Sequence, residues 1–270
     1  MKKSILIIFA IFLFFDSCQI NKHKKTKEQL YKIETEYGDM IFKLYDATPL
    51  YKQNFEKLID EGYYNGLLFH RVINGFMIQG GDPNSRNAKP GEMLGDGGPG
   101  YTIPAEFVDT LFHKKGVIAA AREGDDVNPE MRSSGSQFYI VQGKVFTDED
   151  IKQVENRINA SRLNKLITKY IDEAKNEAYN TGGMIDYQVI LPAARKKAIA
   201  EFKKEGDYKI PDFKRKVYET IGGTPHLDNA YTVFGEVIEG LDVIDKIAAV
   251  KTDKNDRPIK DIKMKIKKIN

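Results

Sequence analysis

The sequence predicts a mainly β, antiparallel fold that is capped by two helices and interrupted by a long helical insertion. Three observations carry that expectation. Short runs with apolar side chains at alternate positions recur in both halves of the chain, separated by Gly- and Asn-containing turns. Two segments, Thr48 to Gly62 and Leu241 to Ile247, switch to a helical period. From Thr147 the alternation gives way to charged, helix-forming sequence that lasts until about Gly222.

The N-terminus stands apart. Met1-Lys2-Lys3 leads into the apolar run Ile5 to Phe15, too short to span a bilayer comfortably, so residues 1–17 read as an export signal. The run ends at Asp16-Ser17-Cys18, and Cys18 is the only cysteine of the chain. A lone cysteine in that place resembles the lipobox of bacterial lipoproteins, whose thiol is acylated and becomes the mature N-terminus. The resemblance makes Cys18 the lipidation site. It also implies a lipid-anchored membrane protein of the bacterial cell envelope, facing the periplasm or the exterior. Asp16 departs from the small or apolar residue usual at its position, and cleavage nearby with Cys18 incidental is the other reading. One cysteine allows no internal disulfide. Residues 18–30 are polar and Lys-rich, a flexible tether, and the folded domain is expected over 31–268.

Tyr31 to Thr35 and Met40 to Tyr45 flank Gly38-Asp39 as the strands of a hairpin. Thr48 and Pro49 form an N-cap and first helical position, Tyr51, Phe55, Leu58 and Ile59 share a helical face, and Gly62 ends the helix. Pro83 to Gly100 is too rich in glycine and proline for a regular element. Gly116 to Ala121 and Gly135 to Val141 read as strands, the latter with Gln137 and Tyr139 on one face and Phe138 and Ile140 on the other.

Thr147 and Asp150 open the insertion with a capping-box pattern, and Ile151, Val154 and Ile158 continue at helical spacing. The helix is expected to extend through Ala174 with a break near Ser161. Leu191 to Phe202 reads as a further helix before Pro211. This segment, 146–222, is either a self-packed excrescence or a lobe that binds substrate or partner, and its Leu and Ile stripe reads as intramolecular packing. Tyr231 to Val237 is again a strand, Leu241, Ile244 and Ile247 mark a second capping helix, and Ile262 to Ile266 a closing strand.

The stretch Phe69-His70-Arg71-Val72-Ile73-Asn74-Gly75-Phe76-Met77-Ile78-Gln79-Gly80-Gly81-Asp82-Pro83 holds the candidate site. Arg71 and Gln79 lie eight positions apart, an even number, across the Asn74-Gly75 turn, so both side chains can emerge on one sheet face. Phe76 and Met77 lie between them. A fixed cation, a neutral amide and an apolar floor suit a reaction that breaks no bond; the plainer reading is a hairpin with a surface ion pair and two core residues. His70, next to Arg71, points to the opposite face and reads as a core histidine with its hydrogen bonds satisfied.

The same stretch closely resembles the signature of the cyclophilins, the peptidyl-prolyl cis-trans isomerases. The resemblance recurs at Gly135-Ser136-Gln137-Phe138-Tyr139-Ile140 and at His226-Leu227-Asp228 with Tyr231 to Val237, and covers roughly residues 31–145 and 223–268. It implies a closed, eight-stranded antiparallel barrel capped by two α-helices, with the α-helical insertion as an addition. It implies catalytic roles for Arg71 and Gln79. It also implies a substrate pocket of Phe76, Met77, Ala121, Gln137, Tyr139, His226, Leu227 and Tyr231, in which Gln137 orients the arginine. Tyr139 stands where phenylalanine is usual and adds a hydroxyl that makes the pocket slightly more polar. His226 stands where many members carry tryptophan, Tyr231 where histidine is common, and Arg122-Glu123 replace a usual Asn-Ala.

The function implied is isomerisation of X-Pro bonds in exported or envelope proteins, assisting their folding, with proline-containing polypeptides as partners. The alternative is a proline-peptide-binding chaperone or scaffold module with little turnover. No cofactor is expected. His23, His70, His113 and His226 show no metal-ligand spacing, and no Gly-Lys-Ser/Thr follows the glycine-rich loop. Net charge is only +3 with both signs interspersed, and the Lys-rich end from Lys263 to Lys268 alternates with Ile262, Met264 and Ile266 as a half-buried strand would. No nucleic-acid partner follows from this, and the oligomeric state is left open.

Overall fold

The computed structural model describes residues 28–269. The signal and lipidation readings, and most of the tether, lie outside the described residues. In chain order the strands are β1 (Leu30–Thr35), β2 (Gly38–Leu44), β3 (Phe69–Ile73), β4 (Met77–Gly80), β5 (Thr102–Ile103), β6 (Val117–Ala120), β7 (Ser133–Ser134), β8 (Phe138–Val141), β9 (Val233–Glu239) and β10 (Lys265–Ile269). The α-helices are α1 (Pro49–Asp60), α2 (Asp148–Asn180), α3 (Tyr187–Glu205), α4 (Asp212–Thr220) and α5 (Leu241–Ala248). Eight strands form one antiparallel sheet in the order β10-β1-β2-β9-β6-β8-β4-β3, and β5 pairs with β7 apart from it.

The expected closed barrel is corrected to a curled, open sheet. Its ends, β3 and β10, are not paired with each other. They are linked only ahead of both strands, by an isolated bridge between Leu68 and Lys263 and by hydrogen bonds such as Phe69 N to Ile262 O at 2.9 Å. Because that bridge is antiparallel, the two strands run away from it in opposite directions, and neither covers the other's edge. The closing strand is accordingly β10, later than the Ile262 to Ile266 expected, although Ile262, Met264 and Ile266 are all buried as the alternation requires.

One face of the sheet builds the main core. Phe55 of α1 sits at its centre, edge-on to Phe138 at 5.3 Å and 89° and beside Tyr64 and Phe234. The apolar stripe of α5, Val243, Ile244 and Ile247, is buried in the same cluster. The other face carries a smaller cluster of Met77, Val117, Ala119, Tyr139, Val141, Leu227 and Val233. This is the period-2 rule at work: Ile118 and Phe138 go to the main core while Ala119 and Tyr139 go to the opposite face. Thr48 stands at the N-cap of α1, but its hydroxyl donates to the Tyr45 carbonyl and makes no cap.

The insertion leaves the sheet after β8 and returns before β9. Its two roots meet at an isolated bridge between Lys144 and Gly223, where a Cβ on Gly223 would run into the His113 carbonyl. The Thr147–Asp150 capping box is present, with Thr147 Oγ1 accepting from Asp150 N at 3.1 Å and Asp150 Oδ2 accepting from Thr147 N at 3.0 Å. No break occurs near Ser161: α2 runs through 33 residues and packs along α3. At the base a third cluster, with Phe146, Ile151, Val154, Ile210 and Tyr218 around Phe112, fastens the insertion to the body.

Candidate active site

The Asn74-Gly75 turn, with Gly75 at φ 75°, sets the register of the β3–β4 hairpin. Arg71 thereby pairs with Gln79, Gln79 with Tyr139 on β8, and Tyr139 with Ala119 on β6. These four form one row across the sheet, and in the neighbouring row Ile73 pairs with Met77 and Met77 with Val141. Above the rows opens a cavity of about 280 Å³. Arg71 and Gln79 line its polar side, Phe76, Met77, Tyr139 and Leu227 its apolar side, and Ala121 and Tyr231 its rim.

Arg71 is half-exposed, and its one carboxylate neighbour among the described residues is Asp256, with Nε–Oδ2 at 3.6 Å. Its Nη groups have no hydrogen-bond partner among the described residues. Asp256 comes from a loop pinned to β3 by Val72 N to Asp256 O at 2.8 Å, and no sequence pattern linked it to Arg71. Gln79 Nε2 donates to Gln137 Oε1 at 3.1 Å, and Gln137 Nε2 donates to the carbonyls of Gly95 and Gly97 at 2.6 and 2.7 Å. Gly95 N in turn donates to the buried Asp82 at 2.6 Å. Gln137 therefore lies behind the pocket and holds Gln79 and the 95–97 loop; it makes no hydrogen bond to the arginine it was expected to orient.

Three further residues line the cavity that the sequence reading left out of the site: Gly95, Asp96 and Arg122. Arg122 is held by Ala230 O at 2.7 Å, Glu123 O at 2.8 Å and Asp125 at 2.7 Å, and its guanidinium lies 4.7 Å from the centre of the Tyr231 ring. The signal available for it was its departure from the family pattern. His226 does not line this cavity. It stacks on Phe76 at 5.6 Å and 29° and belongs to the cleft on the far side of that ring.

The Tyr139 hydroxyl does not make the pocket more polar, because it is taken up from behind. It lies 2.9 Å from His113 Nε2, whose Nδ1 is 3.1 Å from Asp228 Oδ1. Asp228, with its side chain 4% exposed, also accepts from Tyr218 Oη at 2.9 Å and faces Lys214 Nζ at 3.5 Å, both on α4. A proton on Nδ1 satisfies the chain, with Tyr139 donating to Nε2 and His113 to the carboxylate. Burial alone would raise the Asp228 pKa, but the hydrogen bonds from His113 and the Lys214 charge outweigh it and hold the carboxyl below its ordinary range. Burial raises the Tyr139 pKa well above its ordinary value. A buried polar relay thus joins the floor of the pocket to the insertion.

His70 occupies the opposite face, buried at 3% exposure as expected, but neither ring nitrogen has a hydrogen-bond partner among the described residues. The hydrogen-bond partners expected for it are not met by another side chain among the described residues. Burial lowers its pKa to about 4. No group of three or more His, Cys, Asp or Glu able to hold a metal occurs among the described residues, and no described helix is long and apolar enough to cross a membrane.

The family model described as cyclophilin type peptidyl-prolyl cis-trans isomerase/CLD matches residues 30–185 and 213–269. Proteins of Staphylococcus haemolyticus and Staphylococcus saprophyticus whose names include peptidyl-prolyl cis-trans isomerase are 31% and 32% identical to the chain over 245 residues. The alignments span 90% of this chain and 92% and 93% of theirs. Alignments of that length take in part of the helical insertion. A crystal structure of a Cryptosporidium parvum cyclophilin type peptidyl-prolyl cis-trans isomerase is similar in fold, with a TM-score of 0.54 at 21% identity, covering 90% of this chain and 99% of that one. A second crystal structure of it, in the presence of the dipeptide Ala-Pro, has a TM-score of 0.53.

Proposed function

The chain belongs to the cyclophilin-type peptidyl-prolyl cis-trans isomerases, and we propose that it turns over X-Pro bonds of exported or envelope proteins, assisting their folding, while tethered by a lipid on Cys18. The observation that carries the catalytic part is the row Arg71–Gln79–Tyr139, with a fixed cation at one end of an apolar pocket. The envelope location rests on the sequence of residues 1–18 alone.

An X-Pro bond resists rotation by about 18–20 kcal/mol because its nitrogen donates a lone pair into the carbonyl. Unaided exchange takes tens to hundreds of seconds. In this reading the proline ring seats against Phe76, Met77, Tyr139 and Leu227, and Gln79 holds a flanking carbonyl. Arg71 faces the prolyl nitrogen as it pyramidalises and its lone pair localises. A guanidinium keeps its charge at any relevant pH, so the stabilisation is permanent and needs no proton transfer. Its open Nη groups are what the role needs, and the weak contact to Asp256 leaves them available. The groove accepts a proline-containing polypeptide, the chemistry already represented by Ala-Pro in the presence of the Cryptosporidium protein.

The test is the rate of cis-trans exchange in a proline tetrapeptide, measured for residues 19–270 and for the Arg71→Ala variant. Removing the central charged donor is expected to lower kcat/KM by about two to three decades. The fold should survive, since Arg71 is half-exposed and its one ion pair among the described residues is loose. An unchanged rate would remove Arg71 from catalysis. A peptide that binds without being turned over would assign the groove to a binding module instead.

A further inference from the structure

Next to the proline pocket lies a second cleft, of about 390 Å³, one wall of which is the insertion. Ile73, Phe76 and His226 form the sheet side, and Phe146, Val154 and Arg157 the insertion side. Phe76 lines both cavities, so a single aromatic ring separates them. We infer that this cleft binds the substrate polypeptide itself, taking a large apolar side chain roughly two residues of extended chain from the proline.

This deepens the isomerase reading and rests on it. Continuity is the first argument: a chain leaving the proline pocket over Phe76 enters the cleft directly. The second is polar. Thr224 borders the cleft at 2% exposure, and its Oγ1 has no partner among the described residues, so a hydroxyl there is left over for a peptide group. The third is charge. Lys144 and Arg157 line the cleft with Asp150, but Asp150 is already committed to Thr147 in the capping box, and its distance to Lys144 is 4.0 Å. Arg157 has no carboxylate within ion-pair distance among the described residues. The cleft is therefore apolar at its floor and positive at its rim, which selects an apolar residue with an acidic rather than a basic neighbour.

The experiment compares a proline tetrapeptide, too short to reach the cleft, with longer peptides carrying Gly, Leu, Phe, Glu or Lys two and three residues from the proline on either side. Two variants of exposed α2 residues outside the catalytic row are used, Gln153→Trp to fill the cleft and Arg157→Glu to reverse its rim. With the wild type, Leu or Phe is expected to lower KM about tenfold relative to Gly. Gln153→Trp should erase that gain, and Arg157→Glu should exchange the preference for Glu over Lys, while both keep wild-type turnover of the tetrapeptide. A wild type that ignores residues beyond the tetrapeptide, or a gain that survives Gln153→Trp, overturns the inference. If the wild type fails to turn over the tetrapeptide, the isomerase reading fails by itself. Fluorescence anisotropy of the labelled long peptides then decides the cleft, and equal Kd for wild type and Gln153→Trp overturns it.

Discussion

Tyr139 shows how one hydroxyl can alter what a pocket depends on. Its ring serves the cavity and its oxygen serves His113, so Tyr139→Phe keeps the wall and removes a partner from a buried nitrogen. The variant is expected to lose about 1–3 kcal/mol of stability in urea unfolding while turning over a tetrapeptide nearly as before; unchanged stability would mean that His113 finds another donor. His70 gives the complementary case of a buried base with no side-chain partner among the described residues. Its folded pKa of about 4 lies below the ordinary value of 6.5, so the unfolded chain binds the proton more tightly. The associated stability is complete above about pH 6.5 and is lost as pH falls toward 4, roughly 3 kcal/mol in all. Urea unfolding at pH 7 and pH 4.5 should show a smaller drop for His70→Leu than for the wild type, and equal drops would remove His70 as a source of acid lability.

Among the elements, α2 is the one whose anchorage matters most. Its stripe beyond the first turns is only half-buried against α3, whereas its base is fixed by Ile151, Val154 and a fully buried Glu155. Glu155 accepts from Ile210 N at 2.9 Å, Arg215 Nη2 at 2.8 Å and Lys209 Nζ at 3.1 Å, and so ties α2 to the segment entering α4. Glu155→Ala leaves those donors without their acceptor and is expected to cost about 3 kcal/mol. Hydrogen exchange should then quicken at Ile210 and along α4 before it does in β6 or β8; a uniform change across both would show that the insertion has no separate anchorage. The continuous α2 also explains why the sequence suggested a break at Ser161: serine is a weak helix former, but here it is exposed, where propensity costs little.

For the whole molecule, what could be read from the sequence is what short-range pattern determines. The Arg71–Gln79 pairing follows from a turn of known geometry, and the two faces of β8 follow from strict alternation. The open edge between β3 and β10 was illegible because it depends on where Leu68 meets Lys263, a register set by the irregular chain before β10. The relay was illegible because its members are far apart in sequence, with His113 and Asp228 separated by 115 positions and Tyr139 between them. No local pattern announces that a histidine, a carboxylate and a pocket tyrosine will meet. Their meeting bears on how such a chain can be inherited. Asp228 is buried among His113, Tyr218 and Lys214, so a descendant that sheds the insertion keeps a carboxylate stripped of two partners, and with it a histidine and a tyrosine oriented for nothing. Loss of the arm therefore selects for replacing positions 113, 139 and 228 together. Along a lineage, the residue at the floor of the pocket should record whether the arm is still there.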